Sequence, residues 1–235
     1  MKQTFDVCII SRGPLPPSLE SRLRERLPIN RLLTLRDPAG TNYISDARQE
    51  LCERAETDWF VFVDDDVKII GDPVSEATPL MDDPENGAVE VRGVQGDPSA
   101  PTQTRAYTRF SFIRKDAIRG LSMPHMKHNE DLWMDAFLKS KGWKWPMTQG
   151  NPLYIHIRRY RPSDAYELGY WNRGAGRSPF LRSWLGLFST FPMKILNERR
   201  GRYTFTIWFR QLHYVRGVTR AQLNGYHYEQ PGGLR

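Results

Sequence analysis

The chain has 235 residues, 39% hydrophobic and 26% charged, the composition of a soluble globular protein with room for one sizeable core. No run approaches the ~18 apolar residues of a membrane span. The stretch Met1 to Ser11 lacks a signal peptide's long apolar core, and Cys8 and Cys52 have no metal-type spacing, so reduced thiols and an intracellular location are expected.

Phe5 to Ile10 reads as a strand ending in Ser11-Arg12-Gly13-Pro14. Ser18 to Leu27 reads as a surface helix, and Arg31 to Leu35 as a second strand ending at Arg36-Asp37-Pro38. Ser45 is a suitable N-cap for a helix from Asp46 to about Glu56, with Ala47, Leu51 and Ala55 as its apolar face. Trp59 to Val63 carries no charge and predicts a strand buried on both faces. The order strand, helix, strand, helix, strand is that of a parallel α/β sheet.

Beyond it, a short helix is predicted near Pro73–Met81 and a strand at Ala88–Val94. An open loop follows at Gln95–Thr104, either a lid or plain surface, and then a strand at Phe110–Ile113. His128-Asn129-Glu130-Asp131 leads into a helix through about Lys141, stopped by Gly142, with Trp133/Phe137 and Leu132/Ala136 facing inward. A last short strand, Leu153 to Ile157, carries His156.

The charge of +7 is unevenly placed. Residues 1–155 hold 20 Lys/Arg against 23 Asp/Glu, whereas residues 156–235 hold 14 against 4. The basic end calls for an anionic partner: a membrane surface, a phosphorylated carrier or nucleic acid. In it, Ser178-Pro179 is a good helix start, and Phe180, Leu181, Trp184, Leu185, Phe188 and Phe191 recur at helical spacing up to Pro192. A second stretch places Phe205, Trp208, Phe209, Leu212 and Val215 on one face. Two basic amphipathic helices suit a bilayer interface, and equally suit packing against the rest of the protein.

The chemistry concentrates at Asp64-Asp65-Asp66, directly after the apolar strand. Three adjacent carboxylates repel one another, and ligands of such sheets collect beyond the carboxyl ends of the strands. Hard oxygen donors select Mg²⁺ or Mn²⁺, which bridge carboxylates to phosphates; the alternative is a solvated acidic turn.

Three segments in order resemble family 2 glycosyltransferases with the GT-A fold: ARQELCERAETDWFVFVDDDVKI, NEDLWMDAFLKSKGWKW and YIHIRRYRP. The resemblance covers about residues 5–160. It implies an α/β GT-A domain, Rossmann-like with a mostly parallel sheet and flanking helices, over 1–160. Residues 161–235 would then form a tail of amphipathic helices.

The resemblance further implies that Asp66, Asp64 and His156 hold Mn²⁺ or Mg²⁺. Asp131 would be the catalytic base, with Glu130 beside it positioning the acceptor. Ser11, Arg12, Asp37, Arg48, Asp64, Asp65, Arg158 and Arg159 would hold a nucleotide-diphosphate sugar. The cation would stabilise the leaving diphosphate, guanidinium matches phosphate geometry, and a carboxylate within reach would take the acceptor's proton. Glu130 and Asp131 also suit a first helical turn as plain caps. His156 also reads as a structural residue, with His125 and His128 as weaker rivals. Trp133, Trp143 and Trp145 read as core or rim residues, or as a stacking face for sugar.

Several residues depart from the family pattern. Ser-Arg-Gly-Pro and Arg-Asp-Pro stand where the family has Pro-Thr and Asp-Asp-x-Ser, and Gln49 stands for the usual Asn. No Gln-x-x-Arg-Trp motif is present, which favours single transfer over polymerisation. The expectation is an inverting transferase acting on a glycan or lipid-linked acceptor, cytoplasmic and peripheral on the inner face of the cell membrane. Lys68 stands where an aspartate-nucleophile phosphatase has Thr or Val, so that class is rejected. A nucleic-acid-binding module leaves the carboxylate pairs unexplained, and no nucleic acid is expected as partner. A degenerate transferase that binds nucleotide sugar without turnover is the other alternative.

Overall fold

A computed structural model describes residues 3–11, 13–36, 43–95, 108–126, 130–157, 169–170, 180–185 and 201–225, the last without side chains before residue 211. The chain divides into two units, Met1–His125 with Glu130–Arg159, and Met126–Asn129 with Tyr160–Arg235.

The first unit is a layered α/β structure. Its main sheet has the order β2 (Ile29–Arg36), β1 (Phe5–Ser11), β3 (Trp59–Val63), β7 (Phe110–Arg114), β5 (Ala88–Glu90). β1 pairs in parallel with β2 and β3, while β7 runs antiparallel to both β3 and β5. The expected parallel arrangement therefore holds for β2-β1-β3 and stops at β7.

Alternation along the strands fills two cores. Phe5, Val7 and Ile9 of β1 with Val61 and Val63 of β3 face α1 (Pro17–Arg26) and α3 (Pro73–Met81). Cys8, Phe60 and Phe62 face α2 (Ile44–Arg54) and α4 (Glu130–Ser140). All five residues of β3 are buried, as expected of a charge-free central strand.

A smaller sheet of order β4 (Val67–Ile69), β8 (Tyr154–His156), β6 (Gly93–Gln95) lies beyond the aspartates. The single strand expected at Ala88–Val94 is two. Val91 N–H still bonds Phe110 O at 2.9 Å, whereas Arg92 N–H turns to Thr148 Oγ1 and Gly93 pairs with Tyr154 in the other sheet. Gly93 makes this crossing feasible, because a Cβ there would overlap the Tyr154 ring.

Two helix readings need correction. Ser45 does not cap α2: Tyr43 flanks the helix, and Ser45 lies buried in its first turn. The inward stripe of α2 is thus Ser45, Arg48, Leu51, Cys52 and Ala55, with Ala47 only half-buried. In α4, Ala136 and Phe137 are buried as expected, but Leu132 and Trp133 are only half-buried, and the fully buried residues are Met134 and Leu138. Gly142 ends α4 in the left-handed region at φ +84°, as its position predicts.

In the second unit, α5 (Gly201–Leu223) buries Val215, Val218 and Ala221. Residues 180–185 are also helical, and Trp184 Nε1 donates to Thr219 Oγ1 of α5 at 3.1 Å. Leu181 and Leu185, one turn apart, are 72% and 68% exposed. Among the described residues, no helix is long and apolar enough to cross a membrane.

Candidate functional site

The two sheets of the first unit meet at the aspartate triplet. Asp64 N–H bonds Arg109 O at 2.8 Å, extending the β3·β7 ladder by one residue. The chain then turns through Asp65 and Asp66 and enters β4, where Val67 pairs with His156. That register sets the imidazole beside Asp66, with Nε2 3.0 Å from Asp66 Oδ1. Ligand atoms of Asp64, Asp66 and His156 all lie within 4.8 Å of one another.

The electrostatics of this cluster suit a cation. Burial pushes the Asp64 carboxyl up to about 6; Asp66 adds to the rise, and Arg48, His156 and Arg109 oppose it. A divalent ion among two carboxylates and an imidazole would relieve that cost, and an oxygen-rich donor set is compatible with a hard divalent cation. His156 is buried, and its Nδ1 has no hydrogen-bond partner among the described residues.

Asp65 stands apart from the triad. Its Oδ2 accepts from Ser11 Oγ at 2.9 Å, and that hydroxyl also lies 2.7 Å from Gly13 O. The end of β1 and the turn after β3 are thereby joined.

Arg48 joins the triad to α4. Its Nε donates to Glu130 Oε1 at 2.9 Å, and its Nη2 lies 3.4 Å from Asp64 Oδ1. The guanidinium carbon sits 4.9 Å from the centre of the Phe62 ring. Arg48 and Glu130 are 4% and 6% exposed, so this ion pair belongs to the interior. Asp131 follows Glu130 on the same first turn, half-buried, and its charge is felt at Arg48.

No family model matches the chain, and no curated protein matches it. Solved structures do. A mannosyltransferase from Pyrobaculum calidifontis, PcManGT, in complex with GDP-Man and Mn²⁺, is 12% identical with a TM-score of 0.57, covering 95% of this chain and 88% of that one. TarS of S. aureus is 12% identical at a TM-score of 0.46, with 72% of this chain matched to 39% of TarS. Glucosyl-3-phosphoglycerate synthase from Mycobacterium tuberculosis, with phosphoglyceric acid, is 12% identical at 0.48, covering 72% and 76%. Of these three, the mannosyltransferase alone exceeds 0.5, and its likeness runs through nearly the whole of both chains. The chain has the GT-A fold.

Within this GT-A unit, the expected site residues Arg48, Asp64, Asp66, Glu130 and His156 form one linked cluster, Ser11 pairs with Asp65 beside it, and Asp131 follows Glu130. Arg12, Asp37, His128, Arg158 and Arg159 lie outside the described residues. The tryptophans belong to packing: Trp145 is buried in the second core, and Trp133 and Trp143 pack against it.

Gln49 and the Asp46–His125 pair have structural roles that their sequence positions do not announce. Gln49 Nε2 donates to Leu121 O at 3.1 Å, and its Oε1 accepts from Met123 N–H at 3.3 Å. The amide thereby staples the 121–125 segment to α2. One turn earlier, Asp46 Oδ1 lies 2.8 Å from His125 Nδ1, and the imidazole sits against Tyr43. The available signal was the unusual Gln after Ala-Arg.

Proposed function

We propose that this protein is an inverting, divalent-metal-dependent glycosyltransferase that moves one sugar from a nucleotide-diphosphate donor to a hydroxyl or phosphate acceptor. One observation carries the reading. At the carboxyl end of β3 in a GT-A fold, Asp64, Asp66 and His156 converge to within 4.8 Å, and Arg48 ties that cluster to the acidic start of α4. TarS and PcManGT have been solved with UDP-GlcNAc and with GDP-Man, and the same donor class is proposed here.

Asp64, Asp66 and His156 would hold the cation, which when bound neutralises charge on the departing diphosphate. Ser11 and Asp65, hydrogen-bonded to each other where β1 ends, would orient the donor. Arg12, Asp37, Arg158 and Arg159 complete the donor set on sequence grounds. As the acceptor oxygen bonds to the anomeric carbon, the carbon–oxygen bond to the diphosphate breaks, and Asp131 takes the acceptor's proton. Attack opposite the leaving group inverts the anomeric centre.

The acceptor is proposed to be lipid-linked, with the enzyme peripheral on the cytoplasmic face of the membrane. Support comes from the exposed Leu181 and Leu185 beside Arg182, and from Arg216 and Arg220, one turn apart and exposed on α5. Transfer assays with UDP- and GDP-sugars and Mn²⁺, on wild type and Asp131→Asn, test the chemistry. Loss of transfer in the variant with donor binding retained is expected, and undiminished transfer rules out Asp131 as base.

A further inference from the structure

From the ion network beneath the aspartates we infer that Arg48 is a positioning residue that transmits occupancy of the cation site to the acidic first turn of α4. The inference rests on the reading of Asp64, Asp66 and His156 as a metal cradle, and goes beyond it by coupling that cradle to Asp131.

The geometry excludes a peripheral role for Arg48. It is 4% exposed, it projects from the inward stripe of α2, and its guanidinium lies against Phe62. An arginine cannot shed its proton to ease burial, so its charge must be met in place. Two carboxylates meet it: Glu130, through Nε at 2.9 Å, and Asp64, through Nη2 at 3.4 Å. Only the second belongs to the cradle. Arg48 is thus shared between a prospective metal ligand and the residue preceding the proposed base.

A divalent cation on Asp64 would withdraw that carboxylate's charge from Arg48 and repel the guanidinium, strongly so in a water-poor interior. Compensation of Arg48 would then fall to Glu130, whose short bond would tighten and fix the opening turn of α4. Asp131, one residue on, would be held more firmly when the cation is bound. Such a link favours the base's working position in the loaded site. It also gives the arginine on α2 a role without direct contact with donor.

Amide hydrogen exchange of α4, read together with calorimetric Mn²⁺ titration, tests this on the full chain. In wild type, Mn²⁺ should bind and slow exchange across the first turn of α4 by about fivefold, the low end of two-site coupling. Glu130→Gln removes only the charge at the α4 end of the bridge, with little change of shape. It should still bind Mn²⁺ while its α4 exchange no longer responds. The pair Arg48→Met with Glu130→Gln removes both buried charges together and should behave likewise. If the double variant does not fold, Glu130→Gln alone decides. Bound Mn²⁺ with an indifferent α4 in wild type, or an undiminished response in Glu130→Gln, would overturn the role of Arg48 and leave the cradle standing. Failure of wild type to bind Mn²⁺ would instead remove the cradle, and the coupling with it.

Discussion

Asp6, on β1, anchors the strand whose far end delivers Ser11, and its carboxylate should make the fold acid-sensitive in a defined window. The residue is fully buried. It accepts from Arg31 Nε at 3.1 Å and Nη2 at 2.5 Å, from Asn30 Nδ2 at 2.9 Å and from Glu56 N–H at 2.7 Å. Burial alone would raise its pKa, but the Arg31, Glu56 and Asn30 hydrogen bonds and the Arg31 charge together hold it down to about 2, from 3.8. A depressed carboxylate contributes stability that is fully present above its unfolded pKa and is lost as pH falls through its folded one. Just under two pKa units correspond to about 2 kcal/mol, allowing for solvent screening at the part-exposed Arg31 end. Urea unfolding of wild type and Asp6→Asn between pH 5 and pH 2 measures it. The advantage of wild type over the variant should shrink by about 2 kcal/mol as pH falls through this range. A difference that stays constant with pH would refute the reasoning.

Gly93→Ala should cost about 1–3 kcal/mol, because its methyl meets the Tyr154 ring, and should also weaken Mn²⁺ binding by displacing the strand that carries His156; unfolding and calorimetry read the two effects. Asp131→Asn should lower kcat by about 10²–10⁴-fold with little change in donor affinity, as steady-state kinetics would show. Leu181→Asp with Leu185→Asp should reduce sedimentation with anionic vesicles while leaving transfer to a soluble acceptor intact.

Much of the site was legible because its residues depend on local pattern. A charge-free strand ending in carboxylates places Asp64 to Asp66 at a sheet's carboxyl end, and the acidic pair before an apolar helix places Glu130 and Asp131. The connections between them depend on pairings that no local pattern encodes. That β7 runs antiparallel to β3, and that β4 leaves the main sheet to meet His156, follow from long-range register. The split between β5 and β6 turns on the contact of Gly93 with Tyr154, more than sixty residues away. Arg48 was singled out through the family resemblance alone, because the partners that bury its charge are 16 and 82 positions distant. Ser45 misled as a cap because its side chain is buried in the first turn of α2.

Thermal denaturation with nucleotide diphosphates, in the presence and absence of Mn²⁺, tests the central claim most directly. A ligand of the folded state raises the melting temperature according to its concentration over its affinity. One nucleoside diphosphate or its sugar should stabilise the wild-type protein only with Mn²⁺, and Asp66→Asn should abolish that gain. Stabilisation that needs no metal, or that survives in Asp66→Asn, would contradict a cation held between the aspartates and the donor.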